Sequence, residues 1–332
     1  MADYKNIKGF NIQYLDSDPP NPIEGQMWFN STSQTLKGAE AGGAPAGTWA
    51  SGGDMNQGRY YMMGSGISTA ALGSGGYGPP GSGFGTSALN ESYNGTSWTE
   101  VGDLNTARHA GQAIGFSNTA NLVFGGNPAS TAVTELWNGS AWTEVNDLNT
   151  GRTGMGSAGS TTAGLTFGGG SYLSVTESWN GTSWTEVNDL NTARSYSRGA
   201  GIQTSAIFAG GTTLPGPVGN VELYNGTSWT ETTDINTTRG DGGGSGASNT
   251  SALIFGGGTP TPATVANTEF WDGSSWTELN DMSLARGSGP GGFGTSSDAF
   301  ATGGSPFPGT NQSKATEEWN APPISIKTFT TS

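Results

Sequence analysis

Acid–base chemistry is the first thing this sequence could support, because it carries 26 acidic side chains. Two carboxylates held together can serve as general acid and general base. The acids, however, return at fixed places. Glu91, Glu135, Glu177, Glu222, Glu269 and Glu317 each stand two residues before an aromatic. Asp54, Asp103, Asp147, Asp189, Asp234 and Asp281 each stand in a connector, and Glu100, Glu144, Glu186, Glu231 and Glu278 each follow Trp-Thr. A residue that returns in every unit builds a scaffold, whereas a catalyst is needed once. His109 is the single histidine and there is no cysteine, which removes thiolate, disulfide and multi-histidine metal chemistry. His109 directly follows a recurring Arg and reads as a strand residue. No catalytic residue, metal or cofactor is expected. Arg239-Gly240-Asp241 spells an adhesion tripeptide, but Arg239 belongs to the repeat and the next residues open a strand, so it reads as coincidence.

The elements that position these residues follow from the repeat. Arg59, Arg108, Arg152, Arg194, Arg239 and Arg286 are spaced by 49, 44, 42, 45 and 47 residues. Trp49, Trp98, Trp142, Trp184, Trp229 and Trp276 each precede one of these arginines by 10 positions. Four short strands fit each unit, here called a to d. Strand a is rich in Gly, Ser and Ala. Strand b is an apolar run closed by a Gly pair, as in NLVFGG. Strand c carries Glu-x-Trp or Glu-x-Tyr, and strand d carries SWTE or a variant. Asn-Gly or Asp-Gly between c and d predicts a tight hairpin with both residues at positive φ. Each Arg is expected to pair with a repeat Glu or Asp, and each connector Asp to cap a turn. Asn94, Asn138, Asn180 and Asn225 match a glycosylation pattern but read as those turns.

The formal net charge of −14 argues against nucleic acid, whose phosphates call for clustered Lys and Arg. Lysine stands only at positions 5, 8, 37, 314 and 327, which disfavours an anionic membrane surface too. No apolar stretch is long enough to span a membrane, and the N-terminus lacks a secretory pattern. A soluble protein made in a cytoplasm is the expectation.

The Gly pairs Gly125-Gly126, Gly168-Gly169, Gly210-Gly211 and Gly256-Gly257, followed by the aromatic and by Trp five residues later, resemble the Kelch propeller family. The resemblance covers about residues 47–329. It implies an all-β fold: a six-bladed Kelch-like β-propeller with four antiparallel strands per blade, the repeats starting near 59, 108, 152, 194, 239 and 286. Residues 1–46 form a separate segment and 47–332 the propeller. The sixth unit lacks its strand d Trp, and Trp49 stands alone near the start. The segment at Trp49 is expected to close the ring as the sixth d strand; the alternative is that Ile324–Phe329 does so and Trp49 lies outside. Copper oxidases of this resemblance need a crosslinking Cys and several His, both missing here. The arginines read as one per blade, which leaves none for an axial cluster of the sialidase kind.

Only the b–c loop varies. The interval from the second Gly to the Glu is 15, 9, 8, 11, 12 and 13. Variable loops on a rigid frame are where recognition sits. The b–c and d–a connections leave an antiparallel blade on the same side, so the candidate binding residues share one face: Tyr77, Phe84, Tyr172, Leu214, Pro215, Pro260, Phe307 and Asn311. The stretch GQMWFNSTSQTLKG resembles a short segment of phage tail-fibre and other virion proteins, with Trp28 and Phe29 as attachment residues. These resemblances lead to the expectation of a non-enzymatic bacteriophage virion-surface protein, a fibre, adhesin or head decoration protein. Residues 1–46 would meet other virion proteins, and the b–c face would meet a host glycan or surface protein. A homo-oligomer is compatible with this. The alternative is an intracellular Kelch-type interaction module, and a propeller enzyme comes third.

Overall fold

A computed structural model describes residues 12–18, 27–40, 47–78, 85–261, 263–287, 289, 291–305, 312–321 and 325–329. Among these residues the regular structure is all β, without a helix. Compactness divides the chain into Gly47–Asn320 and a smaller unit of Met1–Ala46 with Ala321–Ser332.

The described residues form eight sheets where the repeat predicts six. Six four-stranded antiparallel sheets carry one repeat each. The other two arise outside the repeat pattern. Tyr77–Gly78 and Gly85–Thr86 pair as a ribbon inside the first b–c loop, the longest of the six, where there is chain enough for a hairpin. The last sheet belongs to the smaller unit: Gln13–Leu15 lies parallel to Met27–Asn30, which pairs antiparallel with Thr35–Glu40 and then Ser325–Phe329. The C-terminal strand, expected with residues 47–332, thus groups with the N-terminal segment.

One repeat sheet shows how the sequence sets the fold. In the second, Gln112–Ser117, Ala120–Phe124, Thr134–Trp137 and Trp142–Val145 pair in chain order. Asn121 to Phe124 are all buried, so alternation is lost in strand b because both faces of the sheet are covered. The cover is the neighbouring sheet. Val123, Trp137 and Trp142 cluster with Met63 and Leu72 of the first sheet, and Ile114 and Phe124 cluster with Met155 and Trp179 of the third. Met62, Tyr93 and Trp98 of the first sheet likewise cluster with Phe293 and Phe300 of the sixth. The core therefore sits between sheets in a β-propeller-like arrangement.

The a strands are Met63–Ile67, Gln112–Ser117, Gly156–Gly159, Arg198–Ile202, Gly243–Ser248 and Gly291–Gly294. Each lies beside the a strand of the next sheet, and the sixth lies beside the first. Their small residues follow from that crowding: a Cβ on Gly292 would come within 2.6 Å of the Gly244 nitrogen. In the sixth sheet the place after Thr316–Asn320 is taken by Thr48–Ser51, with Trp49 opposite Trp319.

The c–d turn differs from its expected form. Residues 138–141 form a four-residue loop in which Gly139 alone has positive φ (94°). Asn138 instead accepts through Oδ1 from the Ser140 and Ala141 amides at 2.9 and 3.0 Å. The Asn side chain supplies the turn by hydrogen bonding, so its own backbone need not be left-handed.

Candidate functional site

The recurring arginines and the strand c glutamates pair inside the sheets, while the strand d glutamates and the connector aspartates are exposed. In the third unit Arg152 donates to Glu177 at 2.9 Å and to the Val175 carbonyl at 2.6 Å. The second oxygen of Glu177 accepts from the Asn149 amide and side chain at 2.7 and 2.8 Å, and Asn149 also donates to the Trp184 carbonyl. Arg59–Glu91, Arg108–Glu135, Arg194–Glu222, Arg239–Glu269 and Arg286–Glu317 repeat the pairing, with every partner buried. Burial lowers the pKa of these arginines, and the glutamates oppose that shift. Removing one partner would strand a buried charge at a cost of about 3–5 kcal/mol. Asp147 and Asp189 accept from the Thr134 and Thr176 amides, so they hold the start of strand c rather than cap their own turns.

The strand d tryptophans link one sheet to the sheet before it. Trp184, Trp229, Trp49 and Trp98 donate to the hydroxyls of Thr134, Thr176, Thr268 and Thr316 at 3.3, 3.1, 2.9 and 3.0 Å. Each Thr directly precedes the paired Glu. Where that position is Asn90 or Val221, Trp142 and Trp276 donate instead to the carbonyls of Gly102 and Thr233.

The candidate loop residues are less uniform. Tyr77 is half-buried, with ring centroids 5.3 Å from Tyr60 and 5.1 Å from His109. His109 bridges to Asn127 as a short strand contact, and burial lowers its pKa. Leu214 is 80% exposed, Pro260 is exposed, and Tyr172 is half-buried. Pro215 follows Leu214 through a cis bond in the same loop. Phe84, Phe307 and Asn311 lie outside the described residues.

The most concentrated chemistry lies where the d–a connectors meet the a strands. Backbone hydrogen bonds run from Ala110 to Tyr61, Gly154 to Ala110, Tyr196 to Gly154, Asp241 to Tyr196 and Gly289 to Asp241, at 2.6–3.0 Å. Tyr61, Ala110, Tyr196 and Asp241 hold left-handed φ of 52–59° there. This chain of contacts brings together side chains that lie far apart in sequence. The Tyr61 and Tyr196 rings are 6.0 Å apart. Tyr61 hydrogen-bonds Asp241, whose carboxyl is pushed up to about 6 by burial, against the pull of Arg198 and Tyr61. Arg198 donates through Nε to the Gly242 carbonyl.

Sequence reasoning missed Arg198 and dismissed Asp241. The signal for Arg198 was arithmetic, since the chain has seven arginines for six repeats. An arginine four residues after Arg194 has no repeat glutamate left to pair with. Asp241 carried no such signal, because its role depends on the left-handed turn.

In the smaller unit Trp28 is buried and donates to Asp18 at 3.0 Å. Asn30 and Lys37 also donate to Asp18, and together the three hold its carboxyl down to about 2. Phe29 is half-buried against Tyr14, which is 65% exposed. Of the two expected attachment residues, Trp28 therefore serves its own unit. No known protein family and no curated protein matches the chain.

Proposed function

We propose that this chain is a non-catalytic binding protein of a bacteriophage particle, built on a closed six-bladed Kelch-like propeller. The six a strands follow one another in order, and Trp98 of the first sheet bonds Thr316 of the sixth, which supports closure. The observation that carries the binding role is a division of labour. The repeated Arg and Glu pair with each other and the strand d Trp residues bond to the preceding sheet, while Tyr60, Tyr77 and His109 gather beside the first b–c loop. Tyr60, Tyr77 and His109 pack there in tilted and edge-on contacts, next to a ribbon that, among the described residues, only the first loop has. Aromatic faces with nearby loop hydroxyls suit a host glycan or a surface peptide. The smaller unit, with exposed Tyr14 beside Phe29, would hold the protein to other virion proteins.

Particle composition tests the location. The chain is expected in purified particles and is expected to be lost from them when residues 1–46 are removed. Its absence from particles would refute the assignment. Binding to a glycan array should weaken on Tyr77→Ala, and an unchanged profile would count against that face.

A further inference from the structure

The chain has nine tyrosines. Tyr93 and Tyr224 hold the strand c aromatic position, and Tyr4 and Tyr14 precede the repeats. The other five stand at positions the repeat does not fix, and the structure gathers all of them into one run. Tyr77 of the first b–c loop packs on Tyr60, and Tyr60 on Tyr61, each with ring centroids 5.3 Å apart. Tyr61 meets Tyr196 of the fourth unit at 6.0 Å. The Tyr196 pKa is raised by burial and, after that, by Asp241 and by Tyr172 of the third b–c loop, so Tyr172 lies close to its ring. The units in between make room. Backbone hydrogen bonds pass from Tyr61 through Ala110 and Gly154 to Tyr196, and a Cβ on Gly154 would come to 3.0 Å from the Tyr196 ring. All five tyrosines are half-buried, so part of each side chain remains open to solvent.

We propose that this run binds a neutral glycan chain of several sugar units, laid from the first b–c loop towards the third, with Tyr61 and Tyr196 under its middle. The proposal rests on the glycan-binding reading of the loop face and adds to it the length and the charge of the ligand. A tyrosine offers an apolar ring face and a polar tip, which matches a sugar ring with its C–H face and hydroxyl edge. Charge selects among sugars. Beside Tyr61, Arg198 and Asp241 act on each other with opposite charge, and the chain as a whole, at −14, repels acidic sugars. The backbone selects against a peptide. Tyr60 and Tyr77 exchange both backbone hydrogen bonds, at 3.0 and 2.7 Å, and His109 and Asn127 do the same at 3.1 and 2.8 Å. No strand edge is left at these residues for a peptide to pair with.

The test is calorimetry on the full chain, with cello-, malto- and N-acetylchito-oligosaccharides of increasing length as neutral probes and an oligosialic acid as the acidic one. At least one neutral series is expected to bind, with affinity rising by about tenfold or more from disaccharide to pentasaccharide. Tyr196→Ala should flatten that rise and weaken the pentasaccharide by about tenfold, whereas Tyr196→Phe keeps the ring and should keep most of the affinity. If Tyr196→Ala does not fold, as judged by its melting curve, Tyr196→Leu retains apolar bulk without a ring face and should show the same loss. No binding in any neutral series, an affinity that does not grow with length, or native affinity for the pentasaccharide in whichever ringless variant folds would overturn the proposal. Two outcomes would sink the extended run and spare the loop face: weakening by Tyr77→Ala but by no Tyr196 variant, and binding of oligosialic acid alone. Absence of the chain from particles would remove the virion assignment and leave the run standing.

Discussion

Arginine does two different things in this chain, and the difference lies in what surrounds it. Arg152 and its five counterparts each meet a buried glutamate at a fixed place in strand c. That their partners are repeat acids, Glu or Asp, could be read from the repeat because both members of the pair recur with the same period. Arg198 recurs nowhere, and its neighbours come from three other units. Asp241 is one of them, and its raised pKa gives a stability prediction. The folded state holds the Asp241 proton up to about pH 6, while the unfolded chain loses it near the ordinary value of 3.8. The stabilisation is complete below the unfolded value and is lost as pH rises through the folded one. For a shift of this size the loss is about 3 kcal/mol. Asp241→Asn should therefore be more stable than the native chain at pH 8, with the advantage gone by pH 4. Urea unfolding at the two pH values measures this, and a gain that does not change with pH would contradict it.

At the scale of elements, the strands follow from local rules, while their mutual attachment depends on single side chains. Asn-Gly marks the c–d hairpins, and the Gly pairs end strand b at left-handed φ such as 65° at Gly125 and 107° at Gly126. The bond from strand d Trp to the preceding sheet was not legible, since nothing local links Trp184 to Thr134, 50 residues earlier. Comparing units makes it readable. Thr before the paired Glu gives a hydroxyl acceptor, and Val221 in that position diverts Trp276 to a carbonyl. Thr134→Val should leave the Trp184 N–H buried without a partner, at a cost of about 1–3 kcal/mol. In Trp184→Phe the same substitution should cost less, by about 1 kcal/mol. A double-mutant cycle by chemical denaturation reads this coupling, and strict additivity would show that the bond contributes nothing.

At the scale of the molecule, the sixth repeat sheet depends on both ends of its unit. Thr48–Ser51 supplies its fourth strand, and Asn56 donates to Glu91 in the first sheet. Deleting residues 1–56 removes both contacts and leaves Thr316–Asn320 as an open sheet edge. The shortened chain should lose its cooperative unfolding transition and become sensitive to protease throughout. A truncated chain that still melts sharply would mean that the remaining sheets hold without this strand.

The sequence by itself determined what repeats. It set the all-β architecture, the four strands of each unit, the pairing of Arg with an acid, and the loops free to vary, because each of these is written once per unit and can be counted. It pointed to the segment at Trp49 as the strand to follow Thr316–Asn320, with the C-terminal segment as the alternative, since both were admissible locally. Only the tertiary structure decided that Thr48–Ser51 takes this place and that Ser325–Phe329 joins the smaller unit. Only it brought Tyr61, Tyr196, Arg198 and Asp241 together. Their meeting depends on a strands from different units lying side by side, a relation between distant segments that no local pattern encodes.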